Sequence, residues 1–124
     1  KMIWYPTSED IISINKQILT KVKMTKAEKH ELKINGKKKI EKVIQEAKES
    51  NGSVEHKASI LLRGINQAHA FGSANKRTGY ITAKTFISKN KGKTTNQKEN
   101  LKEFGLKVRA GKIKDKDIER FLNK

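Results

Sequence analysis

Apolar residues recur at helical spacing along most of the chain. Ile11, Ile14, Ile18 and Val22 form one stripe, widened by Ile12 and Leu19, and Thr7-Ser8-Glu9-Asp10 ahead of them has the form of a helix start. The spacing predicts a helix from about Ser8 to Lys23. Met2-Ile3-Trp4-Tyr5 before Pro6 reads as a short extended segment whose rings plug the core. Ile40, Val43, Ile44 and Ala47 predict a second helix, closed by Ser50-Asn51-Gly52. Ser53 starts a third, central helix with Val54, Ala58, Leu61, Ile65 and Ala68 on one face. Tyr80, Ala83 and Ile87, with Ile81 and Phe86, predict a fourth that runs to Lys89 before a break at Asn90-Lys91-Gly92-Lys93. Leu101, Phe104 and Val108 predict a fifth, ended by Ala110-Gly111, and Asp115 caps a last helix carrying Ile118, Phe121 and Leu122. Between the first two helices, Leu32 and Ile34 alternate with charged residues into Asn35-Gly36, a strong two-residue hairpin signal. Residues 31–39 therefore read either as a small β-hairpin flap or as a plain loop between helices. The expected fold class is all-α: a single domain over residues 1–124, about six helices, and that flap as its one β element.

The stretch His69-Ala70-Phe71-Gly72-Ser73-Ala74-Asn75-Lys76-Arg77-Thr78-Gly79 breaks the pattern and concentrates the chemistry. Small residues let a backbone approach a ligand closely, and the first N–H groups of a following helix have no carbonyl one turn back. Those donors and the positive end of the helix dipole suit an anion, phosphate above all. Lys76 and Arg77 add two cations there, and a guanidinium makes two-pronged contacts. His69 lies two turns after Leu62, beside the apolar face at the end of the central helix, where an imidazole can take a proton from a hydroxyl attacking the phosphate. Turn chemistry by itself fits equally well a helix–turn–helix corner with a packed histidine and a solvated basic end. His30 and His56 lack such surroundings and read as surface residues.

The order of residues in this stretch resembles the signature of the Fic/Doc (death-on-curing) family, His-x-Phe-x-Asp/Glu-Gly/Ala-Asn-Lys/Gly-Arg. His69, Phe71, Ala74, Asn75, Lys76, Arg77 and Thr78 fall in place, and Ala74 with Lys76 leans to the death-on-curing branch. The flanks from Lys57 to Ile65 and from Thr78 to Ile87 follow in the same manner. The resemblance implies an ATP-dependent transferase, either a protein kinase-like phosphotransferase or an AMPylating nucleotidyltransferase, acting on a protein hydroxyl. It implies His69 as the catalytic base and Gly72, Ser73, Ala74, Asn75, Lys76 and Arg77 as the phosphate-binding set. Asn75 would hydrogen-bond one phosphate and Lys76 and Arg77 neutralise others, with Phe71 structural. The implied cofactors are ATP as substrate and Mg2+. Ser73, however, stands where the family has the acid that holds magnesium. A serine hydroxyl is a weak neutral ligand beside a carboxylate. That leaves a metal held by phosphates and water with slower turnover, an acid supplied from elsewhere in the fold, or anion binding without catalysis.

Composition refines the partners. The 124 residues are 34% hydrophobic and 34% charged, with no cysteine, so disulfides and thiol chemistry are excluded. No apolar run approaches a membrane span and no signal-peptide pattern occurs, so no membrane partner is expected and the cytoplasm is the default location. The net charge is +16, and only Arg63, Arg77, Arg109 and Arg120 among 29 basic residues are arginine. Base-reading proteins rely on arginine, so diffuse lysine either favours polyanions or an acidic protein over specific nucleic acid, or reflects only a lysine-rich proteome. The self-silencing Ser/Thr-x-x-x-Glu-Gly/Asn motif of many Fic proteins does not occur in these residues. The resemblance therefore implies restraint from outside, by an acidic antitoxin, with the chain as the toxin of a toxin–antitoxin pair. The competing reading from composition is a catalytically degenerate Fic-fold module that binds nucleic acid, another polyanion or a protein.

Overall fold

The computed structural model describes residues 2–20, 32–91, 117, 118, 120 and 122. Four helices are formed among them: α1 (Ser8–Thr20), α2 (Gly36–Glu49), α3 (Val54–Ala68) and α4 (Asn75–Lys91). The start of α1 is a reciprocal cap, in which Asp10 N donates to Thr7 Oγ1 at 3.1 Å and Thr7 N donates to Asp10 Oδ2 at 2.9 Å. Ser53 caps α3 by accepting from His56 N at 3.1 Å. At the other end of α2, the buried Lys57 donates its ammonium to Ala47 O at 3.0 Å and also to Ser50 O. A cation on the last carbonyls of a helix satisfies orphan acceptors and the negative end of the dipole together.

The apolar stripes converge on one core of Ile11, Ile40, Ile44, Ala58, Leu61, Ile65, Phe71, Ala83 and Phe86 with their neighbours. The antiparallel pair α3 and α4 is its most extensive contact, with α2 on α3 and α1 lying across α4. One turn into α4 stands Gly79, where a Cβ would lie 2.9 Å from Leu62 O of α3. The two backbones touch there, and only glycine permits it. The N-terminal segment is strapped to α4 by one amide: Trp4 N donates to Asn90 Oδ1 at 2.8 Å and Asn90 Nδ2 donates to Trp4 O at 3.0 Å. Tyr5 then meets Phe86 with ring centroids 5.6 Å apart. Among the described residues no helix is long and apolar enough to cross a membrane.

Three expectations are corrected. The hairpin at residues 31–39 is absent: Asn35 sits in the left-handed region at φ 64 and Gly36 begins α2, where the return strand would have run. The turn closed by Gly36 N donating to Lys33 O at 2.8 Å feeds straight into the Ile40–Ala47 helical stripe, and Lys37-Lys38-Lys39 extends that helix backwards. Helical periodicity over four turns outweighs a two-residue turn signal. Second, the expected break at Asn90-Lys91 lies inside α4, because the Asn90 amide also reaches Phe86 O at 2.8 Å and stays in register with the helix. Third, four helices rather than about six are formed among the described residues. The expected helix at 101–108 lies outside them, as do residues 21–23 at the expected end of α1. Of the last expected helix, Asp117, Ile118, Arg120 and Leu122 are described and are helical, with Ile118 and Leu122 buried in the core.

Thr82 is buried in α4, and its hydroxyl has no hydrogen-bond partner among the described residues. Thr82→Val, which keeps the shape and removes the orphaned group, should stabilise the fold by up to about 1 kcal/mol in urea unfolding; a clear loss of stability would mean that the hydroxyl is satisfied in solution.

Candidate active site

The turn from α3 to α4 is bracketed by two residues that are not glycine yet have positive φ. His69, the C-cap of α3, has φ 52 and ψ 46, and Ala74, just before α4, has φ 63. Such conformations cost about 1–3 kcal/mol each and persist only where the surroundings over-determine them. Here the surroundings do so from three directions.

The first is Asn75, buried at the start of α4. Its Oδ1 accepts from Phe71 N at 3.1 Å and its Nδ2 donates to Phe71 O at 2.9 Å, so one amide grips both polar atoms of the Phe71 backbone. The second is the segment before α2. Lys33 N donates to Ala70 O at 2.8 Å, and Leu32 and Phe71 form an isolated antiparallel bridge. Gly36 completes this contact, because a Cβ there would lie 2.7 Å from Ala70 O. The third is Asn15 of α1, 1% exposed, whose Nδ2 donates to Ser73 O at 3.0 Å and to Thr78 Oγ1 at 3.1 Å. Thr78 returns to the turn through Oγ1 at 2.7 Å and through its own N at 2.9 Å, both to Ala74 O.

Held in this way, the turn brings the sequence-predicted residues together. Phe71 is packed in the core, at 1% exposure. His69, Gly72, Ser73, Ala74 and Lys76 are half-buried, and Arg77 is exposed. Asn75 Nδ2 also lies 3.3 Å from His69 Nδ1. Because Phe71 fixes which way the amide faces, its N–H side meets Nδ1, and the opposite ring nitrogen, Nε2, points away from Asn75. At 3.3 Å the contact is longer than a usual hydrogen bond, and in it the amide donates and Nδ1 accepts. Asn75, expected to reach a phosphate, has its amide on Phe71 and His69. His56 lies far along α3, in its first turn, and Arg63 is paired with Glu46 at 3.3 Å.

A sequence model of the Fic/DOC family matches residues 5–87, more than half of the chain. The chain belongs to the Fic/Doc family. The matched span takes in α1, α2, α3, the turn and most of α4 of this Fic domain, so it covers the elements that hold the turn as well as the turn itself. No curated protein matches the sequence.

The donor set of this Fic turn does not fit a magnesium ion held by the protein. No carboxylate occurs between residues 69 and 79, and Ser73 presents a neutral hydroxyl while its carbonyl is taken by Asn15. Among the described residues no group of three or more His, Cys, Asp or Glu side chains could hold a metal.

Sequence reasoning passed over Asn15, and it read Leu32–Lys33 as part of a hairpin or loop without naming Ala70 and Phe71 as its partners. Asn15 had a signal: it occupies a position on the Ile11–Ile18–Leu19 stripe that otherwise takes apolar side chains. A polar residue on a buried stripe has to find partners, and the turn supplies them. Removing the clasp within the turn should be costly. Asn75→Ala leaves Phe71 N and O without partners in a dry environment and should destabilise the fold by about 1–3 kcal/mol in chemical denaturation; a midpoint equal to that of the wild type would make the clasp dispensable.

Proposed function

We propose that this Fic domain transfers part of ATP, either the AMP portion or the terminal phosphate, to a hydroxyl of a target protein. The observation that carries this reading is the position of His69: its imidazole, held at a left-handed C-cap, lies beside the N-terminus of α4, where Lys76 and Arg77 add charge. Backbone N–H groups from Gly72 to Asn75 and the two cations receive the phosphates. The transition state of phosphoryl transfer spreads negative charge over the phosphate oxygens, so positioning and fixed positive charge do most of the work. The target hydroxyl oxygen attacks phosphorus, and its proton passes to His69 and then to solvent. In AMP transfer the attack is at the α-phosphorus and pyrophosphate leaves. In phosphate transfer it is at the γ-phosphorus and ADP leaves.

No step in this scheme runs through magnesium, since the turn offers it no carboxylate. Ser73 therefore predicts slow or altered turnover rather than the loss of every function, because His69, Asn75 and Arg77 are all present. An ATP-dependent reaction suits the cytoplasm, and a lysine-rich surface with a net charge of +16 suits restraint by an acidic partner such as an antitoxin. The same charge favours the second reading, a degenerate Fic-fold module that binds a polyanion or protein without catalysis.

Purified protein incubated in host extract with ATP labelled at the α- or the γ-phosphate separates these readings. Label from the α-position alone identifies AMP transfer, and label from the γ-position alone identifies phosphate transfer. His69→Ala should cut labelling by roughly 10²–10⁴-fold; undiminished labelling would remove His69 from the role of base. Ser73→Asp, which restores a carboxylate at the turn, should raise the labelling rate. Silence from all three folded proteins, together with salt-sensitive polyanion binding, would favour the binding module.

A further inference from the structure

We infer that Asn15 of α1 is a positioning residue that sets the orientation of the phosphate-binding backbone and hence the affinity for the nucleotide. The inference rests on the nucleotide-transfer reading of the site. Its starting point is the planarity of the peptide bond: in a trans peptide the N–H points opposite to the C=O. No peptide bond in the described chain is cis.

Asn15 Nδ2 holds Ser73 O at 3.0 Å, on the side facing α1. The N–H of the same peptide belongs to Ala74 and is thereby turned away from α1. The next peptide is fixed in the same manner one step removed. Ala74 O accepts from Thr78 Oγ1 at 2.7 Å and from Thr78 N at 2.9 Å, and Thr78 Oγ1 is in turn held by Asn15 at 3.1 Å. The N–H of that peptide belongs to Asn75 and points out of the N-terminal end of α4. Ala74 in its left-handed conformation joins the two peptides, so successive N–H groups converge in the concave arrangement that receives anions. One buried side chain from another helix thus fixes the carbonyl sides of two consecutive peptides, and through them the donor sides. Asn15 touches no reacting atom in this scheme; it acts through Ser73, Ala74 and Thr78.

The test uses the full chain, with ATP as the probe and equilibrium titration as the readout, and with thermal melting run on every variant. Asn15→Leu keeps the approximate size of the side chain and removes both donors. Asn15→Asp keeps its shape and presents an oxygen to Ser73 O. Both should bind ATP about tenfold or more weakly while remaining folded. Thr78→Val, which breaks the second link, should also weaken binding, and Thr78→Ser, which keeps the hydroxyl, should recover the affinity that Thr78→Val loses. That recovery decides the matter even where the Asn15 variants fail to fold. A purely structural role would lower the melting temperature and leave the dissociation constant unchanged. Folded Asn15→Leu with wild-type affinity, or equal affinities for Thr78→Val and Thr78→Ser, would overturn the inference alone. Absence of ATP binding by the wild-type protein would instead overturn the nucleotide reading, and the inference with it.

Discussion

The amide of Asn75 on the backbone of Phe71 is the contact on which the arrangement of the site depends. It closes the turn between α3 and α4 by pairing both polar atoms of a residue whose ring is buried in the core. Without it, the positive φ of His69 and of Ala74 would lose the support that lies within the turn itself and rest only on Asn15 and on the Lys33–Ala70 contact. With it, the end of one helix and the start of the next are tied to the core through the same residue, and the imidazole is carried along at the edge. The fold uses the same device at its other end, where the amide of Asn90 pairs N–H and C=O of Trp4 and straps the N-terminal segment to α4. Asn15 is the third member of this set. It differs in donating only, to a carbonyl and to a hydroxyl on two sides of the turn.

Buried polar groups of this kind are weak contributors to net stability and strong contributors to specificity of arrangement. Each bond replaces one to water, so its gain is small, but leaving it unmade is expensive. A core of isoleucine, leucine and alanine tolerates small shifts of one helix against another. Three amides with defined donors and acceptors do not. Lys57 extends the logic to charge: its ammonium, taken out of water, caps the last carbonyls of α2 and stands 5.5 Å above the ring of Tyr5.

Much of this was readable in the sequence. Helices α1 to α4 follow from apolar stripes that tertiary packing merely joins, and the turn announced itself by order and residue type at His69, Phe71 and Asn75. What escaped was long-range. Asn35-Gly36 carries the local chemistry of a hairpin, yet its outcome depended on whether residues 37–39 continued the helix behind them, and Leu32 found its β partner in Phe71 rather than across a turn. Asn15 was visible as a polar residue on an apolar stripe, but its acceptors lie 58 and 63 positions away, and no local rule names them. Asn75 was read from its motif as a phosphate ligand, and its grip on both polar atoms of the Phe71 backbone was not foreseen.

The contact at Gly79 gives the site a mechanical character of its own. Where a Cβ would stand 2.9 Å from Leu62 O, the crossing of α3 and α4 is main chain on main chain, one turn beyond the strained corner. Side-chain interfaces are elastic, since rotamers can take up a displacement. Two backbones in contact have no such slack. The corner is therefore braced like a truss whose cross-member is the polypeptide itself, and a load applied to the turn by an incoming ligand is borne by the whole length of both helices rather than by local give.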